Sequence, residues 1–188
     1  LADDVILAGY KNLNSNAEKL VQATMTLIET PTQANLEAAQ EAWKVARSPW
    51  KQGEAHIFGP IDALSIDPHL DTWPLNTTDL ATVVADTGNI SATVIKGFND
   101  DVQGFHTMEY LLFGDGVEDN VKEVADLNAN EREYLKASAE VFQEYTNTLE
   151  TAWTTNYQPD DSASKPYVEL FKGADNDIYG SQTAVIEE

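Results

Sequence analysis

Apolar or small residues fall at Ile6, Tyr10, Leu13, Ala17, Leu20, Thr24 and Leu27, in alternating steps of four and three. That spacing follows one face of an α-helix and predicts a long amphipathic helix at the start of the chain. Thr30-Pro31 ends it, because a residue before proline avoids helical dihedrals and proline has no N–H to continue the ladder. A second helix is expected from about Thr32, with its seam at Leu36, Ala39, Trp43, Ala46 and Trp50. The seam keeps its phase across Pro49, which predicts a kinked continuous helix or two helices in line.

From 59 to 79 the periodicity gives way to Gly59-Pro60, Asp67-Pro68 and Trp73-Pro74, so a long irregular, proline-rich loop is expected there. Short helices are expected over Leu80–Ala85, with Thr78 or Asp79 as cap and a stop at 86–89, and over Ser91–Phe98. A further helix is expected from Asp100 to Phe113, ended by Gly114. Asn130 with Glu133 reads as a capping box opening a helix whose seam is Leu135, Ser138, Phe142, Tyr145, Leu149 and Ala152. Residues 115–126 and 154–165 read as polar connections, 166–172 as one or two helical turns, and Ser181 as the cap of a last helix that reaches Glu188 without a stop signal. No run alternates with period two, so the expected class is all-α, an up-down four-helix bundle with irregular connections.

Composition narrows the function. With 11 Lys+Arg against 32 Asp+Glu the net charge is −21, which disfavours nucleic acid and anionic lipid and suits either plain solubility or the gathering of cations. No stretch approaches the roughly 18 to 20 apolar residues of a membrane span. The chain opens directly on helical pattern with no leader, as a cytosolic protein or a processed exported one would. Cysteine is absent, so a metal site would have to use His, Asp or Glu, and the only histidines are His56, His69 and His106.

Two places stand out chemically. Arg47 and Glu54 lie two turns apart on the face that carries Trp43 and Trp50, where a mutual ion pair or a site are both open readings. His106 and Glu109, at i and i+3 on one helix, can reach the same point, either as a structural pair or as half of a metal or catalytic site. His56 points away from Glu54, and His69 is expected to be exposed in the loop.

The run Gly104-Phe105-His106-Thr107-Met108-Glu109 and the apolar residues after it resemble the signature of the imelysin family, Gly-x-His-x-x-Glu. Trp43–Pro60 resembles that family's Arg-x-Pro-Trp-x-x-x-Glu segment, and Ile61-Asp62 with Leu70–Leu75 its following loop. Tyr167–Phe171 and Tyr179–Gln182 resemble the stretch leading into a second half. Lys51 and Gly53 depart from the family pattern, which often has Glu and Ser there.

The resemblance implies residues 1–172 as the N-terminal bundle of a two-bundle pseudo-repeat, and 173–188 as a connection and the start of the second. It implies a bacterial periplasmic or outer-membrane protein, often a lipoprotein, associated with iron uptake. The positions carried over are His106, Glu109, Arg47, Glu54 and Asp71. His106, Glu109 and Glu54 would be metal ligands, for iron first and zinc or calcium otherwise, with Arg47 and Asp71 contacting a ligand or orienting those that do. The implied partners are a metal ion or small ligand, membrane-associated iron-uptake components and the C-terminal half of the same protein. In the alternative reading, a metallopeptidase, Glu109 or Glu54 is the general base. In a third, the polar cluster only fixes packing in an interaction protein.

Overall fold

The computed structural model describes residues 1–86, 90–117, 122–158, 164–173 and 175–187. Among them the chain is all-helical, as the periodicity predicts. A π-helical turn over Ala2–Leu7 runs into α1 (Ala8–Glu29), followed by α2 (Gln33–Gln52), α3 (Pro60–Ala63) and α4 (Ile66–Asp71). Then come α5 (Thr77–Ala85), α6 (Ala92–Ile95), α7 (Gly104–Phe113), α8 (Ala129–Thr154), α9 (Tyr167–Gly173) and α10 (Gln182–Glu187). The core forms where α1 packs on α2 and α8 while α7 closes on the same two helices.

The seam of α1 is buried along its full length, as is that of α2; on α8 only Tyr145 is partly exposed. Thr32 caps α2 by accepting from the Asn35 amide at 3.3 Å. Pro49 sits inside α2, and its missing N–H would leave the Val45 carbonyl without an intrahelical donor. Asn16 of α1 replaces that donor, its side-chain amide reaching Val45 O at 3.2 Å, so the helix continues through the proline. The same contact joins α1 to α2.

Five local expectations are corrected. The capping box of α8 is Asn128 with Glu131, two residues earlier than expected; Asn130 instead donates to the Val84 carbonyl at 3.2 Å, tying α8 to α5. Asn76, not Thr78 or Asp79, caps α5, accepting from the Asp79 amide at 3.0 Å. The helix expected over Asp100–Phe113 is split into a 3-10 turn at Asp100–Val102 and α7, because Gly104 takes a positive φ of 69°. Within the proline-rich stretch Pro60 opens α3 and Ile66 and Leu70 bury one face of α4, so apolar anchors fold it into two short helices. Ser91 caps α6, which is only Ala92–Ile95 and stops short of the expected Phe98; α5 ends at Ala85 with Asp86 as its C-cap, as expected, while 87–89 and parts of both polar connections lie outside the described residues.

Aromatic packing then fixes α7. Phe105 is fully buried with its ring 4.4 Å from Phe142 of α8 and edge-on to Trp43 of α2 at 6.1 Å. Trp43 also donates its indole N–H to the Phe105 carbonyl at 3.1 Å. At the other end of the core Trp153 is surrounded by Tyr10, Phe58, Tyr167 and Phe171, and Tyr179 is buried beside the last two.

Candidate functional site

The site is built where α4 crosses the start of α7. A Cβ added at Gly104 would lie 2.8 Å from the His69 carbonyl oxygen and 2.7 Å from the Leu70 carbonyl carbon, inside contact distance. Only glycine allows that approach at this positive φ. It brings Asp71, the last residue of α4, against His106 in the first turn of α7.

Asp71 is the centre of the arrangement. Its Oδ1 accepts from the Arg47 guanidinium at 2.5 Å and lies 3.1 Å from His106 Nε2; its Oδ2 accepts from the Trp50 indole at 2.8 Å. Arg47 and Asp71 are each 13% exposed, so the pair is largely desolvated and holds only because its partners are complete. The Arg47 guanidinium also stacks 4.6 Å from the centre of the Phe105 ring. On the far side of the imidazole, His106 Nδ1 lies 3.0 Å from Glu109 Oε2, and Glu109 is 43% exposed. Arg47, Asp71, His106 and Glu109 therefore form one polar line from the interior to solvent.

Glu54 does not join that line. It lies on a 3-10 turn, Glu54–His56, and accepts from Lys51 at 2.5 Å, while Lys51 also lies 3.9 Å from Asp71 Oδ2. The departure at Lys51 thus places an ammonium between the two acids. Asp67, in the first turn of α4, is pushed above the ordinary aspartate range by burial and then by the charges of Asp71 and Glu54.

The expectation of an exposed His69 is corrected. His69 is half-buried, with Nδ1 2.6 Å from Asp100 Oδ1 and its ring stacked on Tyr145 of α8 at 4.4 Å and 12°. It fastens α4 to α8, next to Asp71. Burial and Asp100 together raise the Tyr145 phenol above its ordinary range. His56 is unrelated to the line; its carbonyl accepts from Tyr10 at 2.9 Å.

The line ends in a cleft of about 290 Å³, lined by Trp73, Leu75, His106, Glu109, Tyr110 and Phe113 among others. Trp73 is 71% exposed and lies 4.8 Å from the imidazole, tilted by 60°. Sequence reasoning singled out neither Trp73 nor the hydrogen-bonding role of Trp50. A tryptophan two residues from Asp71 in a proline-rich stretch was the available signal for the first; Trp50 carried the ordinary signature of a core position.

The fit to a metal ion can be judged from these donors. Both imidazole nitrogens lie at hydrogen-bond distance from carboxylate oxygens, Asp71 on one side of the ring and Glu109 on the other. Among the described residues no three of His, Asp and Glu are grouped to hold one. His106, Glu109 and Glu54 thus do not form a three-ligand set, and the described donors of this chain do not by themselves complete a site for a bare ion.

The fold and this line define a helical protein with a His–Glu cleft on the face of α7. The Imelysin family model, Peptidase_M75, matches residues 6–187, and the chain belongs to that family. It is 31% identical over 182 residues to "Iron-regulated protein A" of Synechococcus elongatus, covering 97% of this chain and 46% of that protein. A crystal structure described as an iron-regulated protein A precursor from Parabacteroides distasonis superposes with a TM-score of 0.86 at 29% identity, over 99% of this chain and 52% of that one. An imelysin-like protein from Psychrobacter arcticum shares the fold with a TM-score of 0.68 at 16% identity, over 80% and 46%. The chain spans about half the length of these relatives.

Proposed function

We propose that the chain is the ligand-binding half of an iron-associated bacterial envelope protein, and that its ligand is taken in the cleft over His106 and Glu109. The observation behind this reading is His106 held between Asp71 and Glu109 where the cleft opens. A cluster that served packing alone would gain little from ending in a carboxylate that is 43% exposed. Arg47 and Trp50 hold Asp71, Asp71 holds the imidazole, and the imidazole sets the position of Glu109.

The relatives' names tie the family to regulation by iron, and the word "precursor" in one of them suits a protein that is exported and trimmed. Among the described residues no helix is long and apolar enough to cross a membrane. In this reading the chain works with a second helical half that repeats it, in the periplasm or at the outer membrane on a lipid anchor, beside membrane-associated iron-uptake partners. A metallopeptidase needs a metal with three protein ligands and an open position. The described donors of this chain do not supply that set by themselves, and binding is the reading the cleft supports.

The test is iron uptake in the bacterium under iron limitation, with His106→Ala or Glu109→Gln placed in the full-length gene and protein levels matched to wild type. Uptake should slow several-fold in both. Wild-type uptake in both variants would overturn the proposal.

A further inference from the structure

We infer that the cleft recognises a small organic cation, an ammonium or guanidinium nitrogen carried on an apolar frame. This rests on reading the His106 cleft as the ligand site, and it names the chemistry of what enters. The walls are aromatic and anionic together: Trp73 and Tyr110 contribute rings, and Glu109 and Asp115 carboxylates, the latter already accepting from the Val117 amide at 3.0 Å. Among the described residues lining it there is no lysine or arginine. Phe113 belongs to the same wall but already has the Lys44 ammonium 5.6 Å from its ring centre, the interaction proposed for the ligand in an intramolecular form.

Size and charge exclude the other classes. At about 290 Å³ the cleft lies at the lower end of small-molecule sites. It is far larger than one ion needs, and among the described residues no three donors for a bare ion are grouped. An anion would meet Glu109, Asp115 and a molecule of net charge −21. A neutral apolar guest would strip water from Glu109 and return nothing to it. A cationic nitrogen satisfies both kinds of wall, lying against the indole of Trp73 and meeting Glu109 Oε1 while His106 engages Oε2. Trp73 is suited to this: it is 71% exposed, yet its ring rests against His106.

The experiment is calorimetry on the purified protein in its full natural length with choline, butylammonium and the uncharged tert-butyl analogue of choline. Both cations should bind and the neutral analogue should not. Trp73→Ala and Glu109→Gln should each weaken cation binding about tenfold. Because Trp73 is exposed and glutamine keeps the shape of Glu109, thermal unfolding of both variants should match wild type, which separates lost recognition from lost folding. A blocked tripeptide centred on arginine distinguishes the sources: tighter binding than butylammonium identifies a basic peptide side chain, equal or weaker binding a free amine, and both support the assignment.

Binding of the neutral analogue as tightly as choline, cation binding unchanged in Trp73→Ala, or no cation binding at all would overturn it. The two readings fail separately. Slowed iron uptake in Glu109→Gln with no choline binding sinks the cation assignment alone, and choline binding with wild-type uptake in both uptake variants sinks the iron association alone.

Discussion

Asp71 Oδ1 meets His106 Nε2 at 3.1 Å, the first on the last residue of α4 and the second in the first turn of α7. The same oxygen holds Arg47 at 2.5 Å, so one carboxylate oxygen serves a guanidinium and an imidazole in a largely desolvated place. Asp71→Ala leaves Arg47 buried without a counter-charge, and such losses cost about 3 to 5 kcal/mol. Asp71→Asn keeps the shape and part of the hydrogen bonding and should cost less. Urea unfolding of the two variants checks the order; an alanine variant as stable as wild type would show that Arg47 does not depend on Asp71.

The approach of α4 to α7 depends on Gly104. Gly104→Ala puts a methyl group within 2.8 Å of the His69 carbonyl oxygen at a φ of 69°, so the helices must separate. Gly116 has a similar φ of 72° with open space around it. Gly116→Ala should therefore cost only the left-handed strain, about 1 to 2 kcal/mol, and Gly104→Ala clearly more. The nuclear magnetic resonance signals of the His106 ring should also shift in Gly104→Ala and stay in place in Gly116→Ala. Equal destabilisation by both would mean that the contact with α4 is not what requires glycine at 104.

The long helices were legible because their burial follows one period: every predicted seam residue of α1 and α2 is buried. The continuity of α2 through Pro49 was legible too, although the Asn16 donor that replaces the proline's missing hydrogen bond was not, since it comes from another helix. His106, Glu109, Arg47 and Asp71 were named from a short spacing and a resemblance, and the fold brings them into contact. Glu54 shows where spacing misleads. It shares a face with Arg47 only if α2 continues to it, but α2 ends at Gln52 and Lys51 captures its carboxylate. The cleft was not legible, because Trp73, Tyr110 and Phe113 come from two segments whose crossing is set by tertiary contacts.

Asp67 supplies a pH dependence. Burial, with Asp71 and Glu54 nearby, raises its value in the native state above that in the unfolded chain. The native protein therefore holds that proton more readily, and the associated stability is present in acid and lost as pH rises through the native value. At neutral pH the charged Asp67 works against the fold. Asp67→Asn should raise the unfolding temperature at about pH 7, with the gain shrinking towards about pH 4 as the wild-type carboxyl regains its proton. Melting curves at the two conditions check this; a gain of the same size at both would remove Asp67 ionisation as the cause.

The two ends of the polar line should behave differently, and this separates a binding site from a packing cluster. Asp71 is 13% exposed and is held by Arg47, Trp50 and His106, whereas Glu109 is 43% exposed and is held by His106 alone among the contacts of the line. Solvent screens Glu109, so Glu109→Gln should change stability by less than about 1 kcal/mol while removing the charge that faces the cleft. A cluster that existed only to lock helices together would lose stability at both ends. Urea unfolding of Glu109→Gln beside Asp71→Ala makes the comparison: a small loss at Glu109 with a large one at Asp71 supports a site supported from within, and losses of similar size would make the whole line structural.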